Sequence, residues 1–115
     1  MRVRSGAWRA TGFVVVLCVA ASAATAWAEQ ELTVTIRNHQ FEPAEITAAA
    51  GTKILLAVTN ADPTPEEFDS SDLNREKLIR PGQTVTIYLP ALKPGSYAFF
   101  GEFNLKTAKG RLIVE

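Results

Sequence analysis

The chain has 115 residues, 47% of them hydrophobic, with twelve basic and twelve acidic side chains and no formal net charge. That length supports one small domain with a modest core, and the charge balance offers no basic surface for nucleic acid. Cys18, Met1, Trp8 and Trp27 are the only residues of their types and all fall before residue 29, so the remainder of the chain excludes disulfides, thiol catalysis and thiolate or thioether metal sites.

At the N-terminus, Arg2, Arg4 and Arg9 precede an apolar run that begins Gly12-Phe-Val-Val-Val-Leu-Cys-Val-Ala20, and Ala26-Trp27-Ala28 supplies a small-x-small cleavage pattern. This predicts a secretory signal peptide over residues 1–28, cleaved between Ala28 and Glu29. A retained anchor is disfavoured because the second half of the uncharged run is Ala, Ser and Thr, whereas a spanning helix wants ~20 strongly apolar residues. No stable membrane insertion is therefore expected after cleavage. Leu17 before Cys18 argues against lipidation, which needs a small residue there. Removing residues 1–28 takes three bases and no acids, leaving 87 residues at a net charge of −3. Asp62, Glu66, Glu67, Asp69 and Asp72 follow one another with no base between Lys53 and Arg75, which makes one end of the domain electronegative.

Along the remaining chain, Leu32, Val34 and Ile36 alternate with Thr33, Thr35 and Arg37, the period of a half-buried strand. Phe41 to Ile46 continues with Pro43 at an edge or bend. Ala50-Gly51-Thr52 turns into the continuous apolar run Lys53 to Thr59, suited to a central strand, and Asn60-Ala-Asp-Pro-Thr-Pro65 breaks it. Phe68 anchors a short strand, and Ser71 to Lys77 reads as one helical turn capped by Ser71. Pro81-Gly82 is a turn, Val85, Ile87 and Leu89 alternate again, Lys93-Pro94-Gly95 leads into a strand at Tyr97, and Arg111 to Val114 is the last strand. Short strands at this spacing, without a long helical period, predict an all-β sandwich; periodicity leaves the kind of sandwich open.

The order of motifs is more specific. Phe41-x-Pro43-x-x-Ile46, the Ala50-Gly51 turn, Pro65-x-Glu67-Phe68-x-Ser70, Pro81-Gly82-x-Thr84 and Lys93-Pro94-Gly95-x-Tyr97-x-Phe99 resemble the cupredoxin-like domains associated with bacterial periplasmic iron transport. Pro65-Glu66-Glu67-Phe68, Leu73-Asn-Arg-Glu-Lys77, Gly101-Glu-Phe-Asn104 and Thr107-Ala-Lys-Gly110 are most similar to the small periplasmic cupredoxin-like component of ferrous-iron uptake systems of Gram-negative bacteria. The resemblance implies a Greek-key β-sandwich over residues 29–115 and a periplasmic location. It also implies an iron permease and a periplasmic iron-binding component as partners, and a role in binding Fe(II), oxidising it in a ferroxidase-type step, or handing it over.

Tyr97 to Val114 has the layout of a blue-copper ligand loop, yet the family's Cys position is Gly101, its second His position is Asn104 and its Met position is Ala108. Its first His position is Glu66. Because a type 1 centre needs thiolate, two imidazoles and a weak axial thioether, that centre is not expected. The resemblance places Glu66 and Glu102 at the former metal end with His39 facing it. His39, Glu66 and Glu102, supported by Glu67, Asp69 and Asn104, are the candidate metal residues, a hard set suited to iron rather than to Cu(I). Glu67 is assigned backbone N–H groups of the Gly101 loop. Two other readings stay open: a metal-free module that docks on the permease or the periplasmic component, and an electron carrier binding copper unconventionally through His39 and carboxylates. No phosphate-binding glycine loop or nucleophile elbow occurs, and Glu66 and Glu67, being adjacent on a strand, face opposite ways, which is wrong for a glycosidase pair.

Overall fold

The computed structural model describes residue 12 and residues 29–115. Apart from residue 12, the expected signal segment and its cleavage site lie outside the described residues. Among the described residues nine strands follow in order: β1 (Gln30–Arg37), β2 (Gln40–Glu42), β3 (Glu45–Ala48), β4 (Ile54–Asn60), β5 (Glu66–Ser70), β6 (Arg75–Ile79), β7 (Thr84–Leu89), β8 (Gly95–Gly101) and β9 (Lys109–Val114), with one 3-10 turn at Glu102–Asn104. They form a four-stranded sheet ordered β2-β1-β4-β7 and a five-stranded sheet ordered β3-β9-β8-β5-β6. The chain passes repeatedly between the two, and β1 with β4 and β3 with β9 are parallel pairs. The all-β sandwich read from strand periodicity is the fold observed.

Alternation decides which side chains meet between the sheets. Val34 and Ile36 of β1, Ile54, Leu56 and Val58 of β4, Val85, Ile87 and Leu89 of β7, and Leu112 and Val114 of β9 all point inward and are buried. At one end the core is aromatic. Phe41, Phe68 and Phe99 pack together, with Phe41 edge-on to Phe99 at 4.9 Å and Phe68 stacked on Phe99 at 5.0 Å between centroids, contacts that add to the value of the buried area itself. The Phe99 ring also explains Gly110, where a Cβ would stand 2.3 Å from the ring.

Polar ties close the ends. The Tyr97 hydroxyl donates to the Lys93 carbonyl at 2.7 Å, and buried Asn60 donates to the carbonyls of Thr64 and Ile79. Arg75 links the two sheet edges by donating to the Tyr88 carbonyl at 3.0 Å and the Asn74 carbonyl at 2.9 Å.

One expected element is different. Ser71 to Lys77 is not a helical turn: residues 71–74 form a tight turn, with Asn74 at φ 53°, and Arg75–Ile79 is an edge strand paired with β5. The hydroxyl that organises this turn is that of Ser70, which accepts from the Leu73 N–H at 3.0 Å and donates to the Ala98 carbonyl at 2.7 Å.

Candidate functional site

The end of β5 and the loop between β8 and β9 meet because Phe68 pairs with Gly101, which sets Glu66, two residues earlier on the same inward face, beneath the loop. The loop is tightly wound: the Gly101 N–H donates to the Ala108 carbonyl at 2.9 Å and the Ala108 N–H to the Asn104 carbonyl at 2.8 Å. The four positions at which the sequence resemblance replaces metal ligands therefore converge. A Cβ built at Gly101 would stand 2.5 Å from Ala108 Cβ and 2.7 Å from Glu66 Cδ. The absence of a side chain at Gly101 thus lets the loop close and gives the Glu66 carboxyl its space.

Glu66 is only 1% exposed, and burying a carboxylate is costly unless its lone pairs are satisfied. Here they are. Oε1 accepts the backbone N–H of Glu67 at 3.0 Å and of Phe103 at 2.9 Å, and Oε2 accepts the Asn104 side-chain amide at 2.6 Å. These are charge-assisted bonds from three neutral donors, two of them on the loop. The loop-tying role expected of Glu67 is performed by Glu66.

Type 1 copper does not fit this donor set. Gly101 and Ala108 offer no side-chain ligand, and the Asn104 amide and the Glu66 carboxylate are already bonded to each other where a metal would lie.

His39 enters from the β1–β2 hairpin. Asn38 and His39 both have positive φ, 53° and 56°, the pattern of a type I′ turn, and the buried Asp62 carboxylate holds it by accepting their N–H groups at 2.7 and 2.9 Å. His39 Nδ1 lies 3.5 Å from the same carboxylate. His39, Glu102, Phe103, Asn104, Leu105, Lys106 and Thr107 line one open pocket above the loop, and Glu66 is beneath it rather than in its wall. Among the described residues no three His, Cys, Asp or Glu side chains are grouped in a way that could hold a metal ion. Asp62, which anchors the His39 turn, was visible in the sequence only as one of several acids.

Glu67 and Asp69 face the opposite way, onto the outer face of the five-stranded sheet. There the Glu67 carboxyl is pushed up to about 7 from 4.5, first by a hydrogen bond shared with Glu76, then by desolvation and by the negative charges of Glu76, Glu102 and Asp69. Glu76 is a participant the sequence reading missed, because it meets β5 only once residues 75–79 are a strand.

The model of the cupredoxin-like domain family matches residues 10–114. An uncharacterised protein of Rickettsia prowazekii (strain Madrid E), RP394, is 46% identical over 84 residues, covering 73% of this chain and 67% of that protein. Among solved structures, auracyanin A, a blue copper protein of Chloroflexus aurantiacus, superposes with a TM-score of 0.66 at 13% identity, covering 76% of this chain and all of that one. The metal-binding domain of the Cu(I)-exporting P-type ATPase CopA of Streptococcus pneumoniae D39 gives a TM-score of 0.68 at 17% identity over 76% and 86% of the two chains. At those identities the two structures establish a shared fold. With the family model spanning almost the whole chain, this protein belongs to the cupredoxin-like domain family.

Proposed function

We propose that this protein is a metal-free docking module of ferrous-iron uptake, exported to the periplasm with cleavage after Ala28, which engages the iron permease or the periplasmic iron-binding component through its loop end. The observation that carries this reading is the seating of Glu66. Its carboxylate takes the place of a metal centre and ties Phe103 and Asn104 to β5, so the loop is shaped without a cofactor. Held in that shape, the loop presents Phe103 and Leu105, each 51% exposed, the kind of apolar anchors that carry binding energy in interfaces. The assignment to iron uptake rests on the sequence motifs that resemble that component.

Surface plasmon resonance of the purified protein against each purified partner of the same uptake system tests the reading. Binding to one of them is expected, with the paired change Phe103→Ser and Leu105→Ser weakening it about tenfold or more. Unchanged affinity would contradict the docking role.

A second reading, Fe(II) binding and oxidation or transfer, is favoured by one observation: His39, Glu102 and Asn104 share one pocket. In that case anaerobic Fe(II) titration would saturate, and His39→Ala and Glu102→Gln would each weaken binding while leaving partner association intact.

A further inference from the structure

We infer that β7 is a self-association edge, at which a second copy of this chain adds its own β7 antiparallel and joins the two four-stranded sheets into one of eight strands. The edge is not part of the pocket above the loop between β8 and β9, and the inference does not rest on the function proposed above.

A sheet edge exposes backbone N–H and C=O groups that pair with another chain unless the fold blunts them with charge, proline, shortness or cover. The sandwich has four edges, β2 and β7 in one sheet and β3 and β6 in the other. β2 has three residues and β3 four, with Pro43 in the link between them, and β6 opens with Arg75, Glu76 and Lys77. β7 is different. Thr84-Val-Thr-Ile-Tyr-Leu89 holds six residues without a charge, a proline or a glycine, and it pairs with β4 over six successive residues with no bulge. The Gln83 carbonyl accepts the Asn60 N–H from β4, whereas the Tyr88 carbonyl accepts the Arg75 guanidinium at 3.0 Å from outside the sheet. Backbone groups alternate in direction along an antiparallel strand, so Thr84, Thr86 and Tyr88 turn theirs to the open edge. Arg75 covers one of those groups, the Tyr88 carbonyl.

The strand is complementary to itself. About a two-fold axis at Thr86, Thr86 pairs with its own copy, and Thr84 pairs with Tyr88 of the second copy on either side. The N–H and C=O groups of all three residues then find partners, the Tyr88 carbonyl using the lone pair that Arg75 leaves. All three side chains are exposed on one face, with Tyr88 at 67%, so each Tyr88 ring lies across from a β-branched Thr84, a cross-strand pair that stabilises sheets. The Thr84 hydroxyl is already bonded to that of Thr59 at 2.7 Å, which leaves its methyl group for the contact. Charge selects a second copy over a strand of another protein. Arg75, Glu76 and Lys77 line the groove beside Thr86, Ile87 and Tyr88, and a strongly acidic or basic strand would leave one sign unmatched there. A second copy brings both signs, and the two-fold sets them in reverse order. One strand pair buries less than the ~1,200 Å² of stable complexes, so the dimer is weak, with a Kd on the order of 0.1 mM.

Sedimentation velocity of the purified protein from about 10 µM to about 1 mM, with amide hydrogen exchange at both ends of that range, tests the proposal. The mass is expected to move from monomer to dimer. The Thr84, Thr86 and Tyr88 amides should exchange about fourfold more slowly at the high concentration, by mass action at that Kd, while those of β2, β3 and β6 do not change. Thr86→Lys sets like charges side by side at the axis, and Thr86→Pro removes the central N–H donor. That N–H faces away from β4, so both variants should keep a melting temperature within about 5 °C of wild type and weaken the dimer about tenfold or more. Thr86→Lys decides the matter where proline disturbs the strand. A monomer throughout the range, slowed exchange elsewhere than on β7, or full association in Thr86→Lys would overturn the proposal. Slow exchange of the Thr84 and Thr86 amides that does not depend on concentration would also overturn it, because the edge would then be covered within one chain.

Discussion

Replacing Glu66 by Ala removes the acceptor for three N–H groups, at 3.0, 2.9 and 2.6 Å. Hydrogen bonds to a charged partner contribute about 1.5–3 kcal/mol each. Water can reach the vacated space and satisfy part of what is freed, which puts the expected loss at about 3–5 kcal/mol. For a domain of this size each kcal/mol moves the melting temperature by about 4–8 °C, so a fall of about 12–40 °C is expected. Glu66→Gln keeps the shape and retains an acceptor for the backbone donors. If Asn104 turns its amide so that its oxygen faces the new NH2 group, only the charge assistance is lost, and a cost of about 1–2 kcal/mol follows. Thermal melts and urea titrations of the wild type and both variants measure these differences. Hydrogen exchange at the Phe103 amide supplies a local readout, which should accelerate in Glu66→Ala beyond the amides of β4. A Glu66→Ala protein within about 1 kcal/mol of wild type would refute the claim that this carboxylate holds the loop.

Three further outcomes are expected. Gly110→Ala forces a Cβ to 2.3 Å from the Phe99 ring and should cost about 2–3 kcal/mol by overpacking, read as a lower urea midpoint with an unchanged slope. Arg75→Ala removes the donors to the Tyr88 and Asn74 carbonyls and should cost about 1–2 kcal/mol, with Arg75→Lys recovering less than half because an ammonium cannot span both acceptors. Because the Glu67 carboxyl is raised from 4.5 to about 7, its folded state favours the protonated form. The stability it contributes is fully present below its ordinary value and is lost as pH rises through about 7. Melting temperatures should therefore decline across that window, and Glu67→Gln should flatten the decline.

The sandwich was legible because its central strands carry clean alternation, as at Val34 and Ile36 or Val85, Ile87 and Leu89, and because β4 is one apolar run between turn signals. The edge strand β6 was not. It carries Arg75, Glu76 and Lys77 in succession and buries only Ile79 among its five residues, so no period marks it, and the adjoining Ser and Asp imitate a helix cap. The convergence of residues 66, 101, 104 and 108 was legible from motif order. What Glu66 does there was not, since a glutamate at a ligand position can reach outward for a cation or inward for backbone N–H groups. That choice depends on the space left by Gly101 and on the Phe103 N–H being aimed at Oε1, which only the folded loop decides. The exchange of roles between Glu66 and Glu67 follows from the same geometry. Alternation correctly placed them on opposite faces, but it says nothing about which face carries the unpaired donors.

The most direct measurement of whether a carboxylate rather than a metal closes this site is an anaerobic titration of the protein with Fe(II), and separately with Cu(II), followed at the Phe103 backbone amide and the Asn104 side-chain amide. If Glu66 is committed to those donors, both resonances persist unchanged at equimolar metal, and any paramagnetic broadening is confined to exposed carboxylates remote from the loop. Selective loss of both resonances at equimolar Fe(II), with the rest of the spectrum intact, would show the metal displacing them from Glu66 and would contradict the metal-free reading.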